Sequence, residues 1–422
     1  MKKMITIVLT VLMVLSLAGC KRELPTTATK KQETKAKTIK DLKPEKGASL
    51  ILWTKKKEYG EGLAKAFTAK YNIPVKVEEV GLETIKKISL DGPTGKGADV
   101  FQCAHDAFPQ GVQAGLFRKL DQVVADNVRK NVSEVAVKTC SKGNDLYGVP
   151  VSMECMCLFY NKDLVGDKPA TTLEQIMEEA KTFNNKDKNQ FELLWKPGDG
   201  YQASPILSVG GFQLFGKDGT DEKNPGFDTD EFEKGLELLS RLHESIPISS
   251  TDLSNGSFFK KQLADGKTPY IVDGPWDINE LKQKKVNFGV AMLPTYEGKQ
   301  MTSFAGVQNM HISAYTKYPI ASELLISFAG SEEGAKILND TTKEIPTLKD
   351  VSKVNGLNED DNVQNVIKQF NNSIPMPSVK NISVYWDVAE SVGKAVFDGK
   401  ITPAEGRKKA MKDWKAAIET GE

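Results

Sequence analysis

The sequence has no excess of charge of either sign. Its 422 residues include 57 Lys and Arg against 56 Asp and Glu, which leaves a formal net charge of +1. Without a strongly basic surface there is no electrostatic footprint for nucleic acid, so we expect no nucleic-acid partner. Hydrophobic residues at 39% and charged residues at 27% are typical of a soluble globular protein. The chain is too long for one ordinary core, which favours two domains.

Histidine and cysteine are also scarce. The three histidines are not spaced as metal ligands with a cysteine pair, which argues against a metal site: His105, His243 and His311. Cys155 and Cys157 would lie on one face of a strand, where neighbours two residues apart are poorly placed for a relaxed disulfide. We predict that Cys103, Cys140 and this pair are free thiols, and that the protein uses no metal and no cofactor.

Only the N-terminus carries an apolar run of note. Lys2 and Lys3 precede apolar residues 4–17, too short a stretch to span a bilayer comfortably. The run ends in Leu-Ala-Gly-Cys20, which resembles the bacterial lipobox, whose cysteine becomes the lipidated N-terminus. We predict a lipoprotein signal peptide over 1–19 and a lipidated Cys20 with a flexible tether over 20–47, rich in Lys, Thr and Glu. A plain secretory signal with a chance cysteine is the alternative.

After the tether, strand and helix patterns alternate. Apolar residues 50–53 predict a strand, apolar residues at helical spacing over 63–71 predict a helix, and Val75 and Val77 predict a second strand. This order favours an α/β fold with parallel strands. Further strands are predicted before Asp106 and before Trp276. Ligands of open α/β sheets bind outside the carboxyl ends of strands, so both residues are candidates for a site.

Motifs of catalysis are weak. The glycine-rich stretch 92–97 lacks the Gly-Lys-Ser/Thr ending of a phosphate-binding loop, and no Gly-x-Ser-x-Gly elbow occurs. Several carboxylates could supply the acid/base pair of a glycosidase, although sequence does not show two at the needed separation: Asp99, Asp106, Glu154, Asp199 and Asp273. A surface glycoside hydrolase therefore stays an alternative.

The five tryptophans divide into two groups. Trp414 lies on an apolar helical stripe, and Trp53 and Trp195 lie in apolar surroundings, so we predict core packing for all three. Trp276 and Trp386 lack such a stripe. Two indole faces with carboxylates between them suit a sugar, whose C–H faces stack on rings and whose hydroxyls donate to carboxylates. That Trp276 instead caps a core is the alternative.

A set of motifs in one order, from about Leu50 to the C-terminus, carries a family resemblance. It includes 104–108 (AHDAF), 149–154 (VPVSME), 159–164 (FYNKDL), 273–276 (DGPW), 286–290 (VNFGV), 342–346 (TKEIP) and 385–387 (YWD). The chain resembles the maltose and maltodextrin-binding proteins of ABC importers, family 1 of the extracellular solute-binding proteins. The motif at 342–346 is similar to that of lipoprotein members from Gram-positive bacteria.

The resemblance implies a two-lobed periplasmic-binding-protein-like fold of type II. Each lobe would hold a mixed, mainly parallel sheet flanked by helices, with lobe one over 48–153 plus 306–358 and lobe two over 154–305 plus 359–422. An oligosaccharide would bind in the cleft, favour the closed form and be delivered to an ABC permease. The protein would perform no chemistry, act as a monomer and be anchored by lipid on the outer face of the cytoplasmic membrane of a Gram-positive cell.

The resemblance also implies the ligand-binding residues. Matched positions assign hydroxyl binding to Asp106, Glu154 and Asp199, and stacking to Tyr201, Trp276 and Trp386, with Tyr385 beside the last. Four further matches depart from the family's pattern. Lys57-Glu58 reverses an Asp-Lys pair, Cys103 replaces a tryptophan, and Ala107 and Glu390 replace arginines. Maltodextrin is the ligand that the resemblance implies. Because these departures alter the subsites, a xylan, galactoside or fructan fragment is the alternative.

Overall fold

The computed structural model describes residues 38–81, 83–354 and 356–420. The predicted signal peptide, Cys20 and the first part of the predicted tether lie outside the described residues. The strands are β1 (Leu50–Thr54), β2 (Val75–Glu79), β3 (Val100–Ala104), β4 (Ser141–Lys142), β5 (Asp145–Leu146), β6 (Gly148–Glu154), β7 (Cys157–Asn161), β8 (Leu193–Leu194), β9 (Tyr270–Asp273), β10 (Phe288–Ala291), β11 (Thr295–Tyr296), β12 (Lys299–Gln300), β13 (Phe304–Ile312), β14 (Ile345–Pro346) and β15 (Ile374–Pro375).

Helices separate most of these strands. They are α1 (Lys57–Tyr71), α2 (Thr84–Asp91), α3 (Phe108–Gln113), α4 (Gln122–Asn131), α5 (Glu134–Lys138), α6 (Lys162–Val165), α7 (Leu173–Phe183), α8 (Ser204–Leu207), α9 (Asp230–Ser245), α10 (Gly256–Ala264), α11 (Ile278–Gln283), α12 (Pro319–Ala329), α13 (Glu332–Thr342), α14 (Asp361–Asn371), α15 (Ile382–Phe397) and α16 (Pro403–Thr420). In the described part of the chain, no helix combines the length and the apolar character that crossing a membrane requires.

Two sheets organise the fold. The large sheet has seven strands in the order β14-β6-β13-β3-β1-β2, with β15 paired to β13. The small sheet has four strands in the order β10-β7-β9-β8. Helices α1, α12 and α13 pack on the large sheet, while α14 packs on β10 of the small one. This is the mixed α/β architecture that the sequence predicts, with one sheet for each of two lobes. The residue boundaries predicted for the two lobes stay a prediction.

The expectation of mainly parallel sheets is wrong in detail. In the large sheet β1 pairs in parallel with β2 and β3, but β13 runs antiparallel to β3 and β6. In the small sheet β7 is antiparallel to both of its neighbours. The reason is the path of the chain, which leaves the large sheet at the carboxyl end of β6. A strand that enters the sheet at the carboxyl ends of its neighbours has to run in the opposite direction to them.

The apolar core contains the tryptophans that the sequence assigns to packing. Trp53, Trp195 and Trp414 are fully buried, which confirms that prediction. Trp276 and Trp386 are only partly buried and pack against the edge of the core. The two groups therefore differ in the structure as their sequence surroundings indicate.

The last residues of the predicted tether contact the folded part. Ile39 and Leu42 pack against the core, and the carboxylate of Glu45 accepts hydrogen bonds from the backbone N–H groups of Ile320 and Ala321 at 2.8 and 3.0 Å. These N–H groups belong to the first turn of α12, where the helix has no backbone acceptors of its own. The capping contact fixes the chain before the first strand begins.

The four cysteines of the described chain are buried and unpaired. The Sγ atoms of Cys155 and Cys157 lie 3.8 Å apart, beyond the length of about 2.05 Å of a disulfide bond. Burial raises the pKa of the Cys103 and Cys140 thiols, so little reactive thiolate forms. The structure therefore agrees with the prediction of free thiols.

We expect a reducing agent to leave the melting temperature unchanged, because there is no bridge among these four cysteines to break. Thermal unfolding with and without dithiothreitol measures this. Thiol labelling should be slow in the native protein and rapid after denaturation. A disulfide would contribute on the order of 2–4 kcal/mol, so a fall of many degrees on reduction would contradict the prediction.

Candidate functional site

A cavity of about 790 Å³ opens where the ends of the two sheets face each other. The large sheet contributes the residues that follow β1 and β3, the end of β6 and the start of β13. The small sheet contributes the loop after β8 and the turn after β9, and α15 closes one side. The wall includes Lys55, Asp106, Glu154, Lys196, Asp199, Tyr201, Trp276, Gln308, Trp386 and Glu390. Seven of the residues predicted from sequence therefore line one cavity.

Asp106 is held at the wall by its neighbour His105. The short helix His105–Ala107 follows β3 directly. The Nδ1 atom of buried His105 accepts from the backbone N–H of Val307 at 3.0 Å, and its Nε2 lies 3.1 Å from the carbonyl oxygen of Met376. With the proton assigned to Nε2, both ring nitrogens are satisfied. The imidazole thus fixes the backbone from which the partly exposed Asp106 carboxylate reaches the cavity.

Glu154 ends β6 and forms an ion pair with Lys55. The Lys55 Nζ lies 2.9 Å from Glu154 Oε1, and the two side chains are 24% and 11% exposed. Gln308 Nε2 donates to the other carboxylate oxygen at 3.2 Å. Lys55 Nζ also lies 6.0 Å from the centre of the Trp276 ring, which belongs to the opposite sheet. Lys55 therefore contacts groups from both sides of the cavity.

Behind this ion pair lies a second carboxyl group, Glu344, just before β14. Burial and the charge of Glu154 raise the pKa of Glu344, and Lys55 lowers it by less. Burial alone would lower the pKa of Lys55, but the charges of Glu154 and Glu344 outweigh that effect and raise it above 10.5. Two acidic groups therefore share one cation.

The loop after β8 is shaped by Asp199. Its Oδ1 accepts from the backbone N–H groups of Tyr201 and Gln202, both at 3.0 Å, which leaves Oδ2 for a ligand. Gly200 between them packs under α15: a Cβ there would lie 2.9 Å from a ring carbon of Tyr385 and 3.0 Å from one of Trp386. Only glycine allows this close approach, which brings the loop and α15 to one wall.

The two partly exposed indoles are supported in different ways. Trp276 follows β9, and its ring centre lies 6.4 Å from that of Tyr201. Trp386 stands in the first turns of α15 at 4.8 Å from the Tyr385 ring. Glu390, one helical turn after Trp386, faces the same cavity and pairs with Lys394. The wall thus presents aromatic faces with carboxylates between them.

Three of the predicted ligand-binding residues lie outside this wall. Lys57 and Glu58 begin α1 and are exposed, and Lys57 lies 3.6 Å from Glu61 in the same helix. Tyr385 is fully buried, and its hydroxyl donates to the carbonyl oxygen of Gly200 at 2.9 Å. Its place is behind Trp386, where it supports the loop.

Sequence reasoning missed Lys55 and Lys196. Both follow the carboxyl end of a strand, β1 and β8, which is the signal that singles out Asp106 and Trp276. Sequence places the end of β1 only to within a few residues, and alignment by resemblance favours Lys57 and Glu58 over Lys55. Among the described residues, no group of three or more His, Cys, Asp or Glu side chains could hold a metal ion.

Comparison with known proteins supports a common origin. The family described as bacterial extracellular solute-binding protein matches residues 62–365. The chain belongs to this family. A maltooligosaccharide ABC transporter solute-binding lipoprotein of Streptococcus pneumoniae (strain ATCC BAA-255 / R6) is 30% identical to this solute-binding protein, over 80% of each chain. A galactooligosaccharide-binding protein of Bacillus subtilis (strain 168) is 28% identical, over 88% of this chain and 90% of the relative.

A solved structure has the same fold. The crystal structure of a cyclo/maltodextrin-binding protein complexed with maltotetraose superposes with a TM-score of 0.76 and 30% sequence identity. The superposition covers 92% of this chain and 99% of that one. The two-lobed fold that the resemblance implies is therefore confirmed for this solute-binding protein.

We expect Lys55→Met to destabilise the protein by about 2 kcal/mol, because Glu154 would keep no cation beside the buried Glu344. The loss should fall below the roughly 3–5 kcal/mol of a fully buried pair, since Lys55 is partly exposed. Adding Glu344→Gln should restore part of the loss. The control is Lys65→Met, an exposed lysine of α1. Urea unfolding of all four proteins measures the changes.

The pH dependence of the wild type gives a second measurement. Because the pKa of Lys55 is raised in the folded state, its contribution is fully present below 10.5 and is lost as the pH rises through the folded value. The stability difference between wild type and Lys55→Met should therefore shrink as the pH rises above 10.5. Equal stabilities at neutral pH would show that the pair contributes nothing.

Proposed function

We propose that this solute-binding protein captures an oligosaccharide, most readily a maltodextrin, in the cavity between its sheets and delivers it to an ABC permease. The observation that carries the proposal is the pairing of two partly exposed indoles, Trp276 and Trp386, with carboxylates on one cavity wall. Aromatic faces cover the apolar C–H faces of sugar rings, and carboxylates accept from sugar hydroxyls. A ligand that contacts both sheets favours the closed arrangement of the lobes by its differential affinity.

The relatives narrow the choice of sugar. Both the pneumococcal lipoprotein and the superposed crystal structure carry names of α-glucan ligands, which supports a maltodextrin here. The relative from Bacillus subtilis is named for galactooligosaccharides and matches a larger share of this chain, which supports a galactoside as second candidate. Calorimetric titration with maltotetraose and with a β-galactotetraose decides between them. Failure to bind any member of a panel of oligosaccharides would refute the proposal.

The proposed site residues are those that line the cavity. Asp106, Glu154 and Asp199 would accept from hydroxyl groups, and Tyr201, Trp276 and Trp386 would form the aromatic surface, with Lys55 as an additional polar contact. Lys57, Glu58 and Tyr385 are not part of this proposal as direct contacts, because the first two are exposed on α1 and the third is buried.

Trp276→Ala should weaken binding of the preferred oligosaccharide by roughly 2 kcal/mol or more, the scale of a central anchor, with little loss of stability. The matched control is Trp414→Ala, which removes a fully buried indole. That variant should lose about 3–5 kcal/mol of stability while the folded fraction keeps its affinity. Titration calorimetry and thermal unfolding of both variants separate the two effects. Unchanged affinity of Trp276→Ala would remove this residue from the site.

We also propose that the protein binds sugar without cleaving it. Solute-binding proteins of ABC importers release their ligand intact, and the chain's membership of the family supports the same role. Thin-layer chromatography of a maltodextrin after overnight incubation with the protein should show the maltodextrin unchanged. Shortened chains would favour the glycoside hydrolase alternative.

The proposed location is the outer face of the cytoplasmic membrane of a Gram-positive cell, with the protein as a lipid-anchored monomer. The lipobox at Cys20 and the lipoprotein named among the relatives support the lipid anchor. Cys20→Ala should shift the protein from the membrane fraction to the soluble fraction, because acyl chains and not a helix would hold it. The melting temperature should not change. A variant that remains in the membrane fraction with its lipid label would contradict the anchor.

A further inference from the structure

The ring N–H of Trp276 forms a hydrogen bond within the protein. Trp276 Nε1 donates to Asp273 Oδ1 at 3.0 Å, and the backbone N–H of Gly274 donates to the same oxygen at 2.8 Å. A Cβ on Gly274 would lie 2.2 Å from the Trp276 ring, so the ring folds back closely over this backbone. The donor edge of the indole therefore points to Asp273, while the residue still lines the cavity.

Asp273 is only 2% exposed and faces several charged groups. Asp277, in the short helix after the turn, lies within hydrogen-bonding reach of its side chain. Asp277 itself lies 3.1 Å from Lys260 Nζ of α10, which also contacts Glu280 of α11. Lys196, in the loop after β8, also attracts the charge of Asp273, but this effect is smaller than the repulsion from Asp277. On the neighbouring strand β7, the residue paired with Asp273 is Cys157.

Two buried carboxyl groups in contact cannot both be ionised at ordinary cost. Lys260 stabilises the charge of Asp277, so the proton falls to the inner group. Burial and, second, the charge of Asp277 raise the pKa of Asp273 well above its usual range, and the Gly274 N–H and Lys196 lower it by less. The hydrogen-bond pattern fits this state, because a carbonyl oxygen has two lone pairs for its two N–H donors.

We propose that Asp273 is a positioning residue that holds a proton at neutral pH, accepts from the Trp276 indole on one oxygen and donates to Asp277 from the other. This inference deepens the proposed function, on which it rests for the sugar as ligand. Because its N–H group is engaged by Asp273, the indole offers the ligand a fixed aromatic face and no hydrogen-bond donor. Such a platform selects a C–H face of a sugar ring over a polar edge.

Two substitutions of similar size test the pattern. Asp273→Asn keeps a carbonyl oxygen for the two N–H donors and supplies an N–H for Asp277, so it should bind the preferred oligosaccharide as the wild type does. Asp273→Leu removes the acceptor and should bind about fivefold more weakly, the factor that corresponds to one hydrogen bond of ordinary net strength. Asp187→Asn, at an exposed position, is the control for an aspartate-to-asparagine change outside the cavity. Equal affinities of the Asn and Leu variants would overturn the proposal.

A measurement without ligand keeps the test independent of the sugar. The indole ¹⁵N–¹H resonance of Trp276, assigned with Trp276→Phe, should not shift between about pH 4 and pH 7, because Asp273 keeps its proton across the range in which ordinary carboxyl groups titrate. A titration of this resonance near pH 4 to 5 would show an ionised Asp273 and overturn the proposal. If the wild type binds no oligosaccharide, the proposed function fails, while this resonance still decides the state of Asp273.

Stability against pH gives the same answer by another route. A carboxyl group with a raised folded pKa contributes stability that is fully present below its unfolded value near 3.8 and is lost as the pH rises through the folded value. Asn does not titrate, so the free energy of unfolding of Asp273→Asn should rise relative to that of the wild type from about pH 3.8 upward and level off once the pH has passed the raised folded value. A constant difference up to pH 9 or a rise that is complete by about pH 5 would contradict a raised pKa.

Discussion

The direction of the returning strand β13 is the constraint on which the cavity depends. The chain leaves the large sheet at the carboxyl end of β6, forms the small sheet, and re-enters the large sheet at the same end of its strands. For this reason β13 runs antiparallel to β6 and β3. Its first residues therefore stand beside the last residues of those strands, with Gly306 opposite Glu154 and Gln308 opposite Ala104. Strand ends that carry polar side chains are thereby collected at one edge, opposite the ends of β8 and β9.

Charge compensation at these strand ends follows one scheme in both sheets. In the large sheet Glu154 and the buried Glu344 share the cation of Lys55. In the small sheet Asp273 and Asp277 lie behind the cavity wall with Lys260 as the only cation in direct contact among the described residues. A buried carboxylate without a partner is costly. One lysine compensates only one of two negative charges, so one of the two acids holds a proton instead. The wall is thus ordered before any ligand arrives, which lowers the cost of binding.

The aromatic surface is ordered by two independent supports. Trp276 is held by its ring N–H and by a backbone without a Cβ, whereas Trp386 is held by the helix α15 and by the buried Tyr385. Tyr385 in turn binds the backbone of the loop that carries Asp199 and Tyr201. A stacking surface with these supports loses little conformational freedom on binding, so most of its apolar contact contributes to affinity.

Sequence by itself determined the first strands and the first helix, the family, and which tryptophans are buried in the core. Apolar periodicity separates strands from helices, and a missing apolar stripe separates Trp276 and Trp386 from the core tryptophans, because both signals are local. Tertiary structure alone decided the strand directions, the presence of Lys55 and Lys196 at the wall, and the absence of Lys57, Glu58 and Tyr385 from it. Lys55 and not Lys57 lines the cavity because β1 ends at Thr54 and α1 begins at Lys57, which turns the later residue to solvent. The partner of Lys55 lies 99 positions away, and the Asp273 proton depends on a lysine from another helix. Local patterns carry no information about such contacts, since pairing between distant segments creates them.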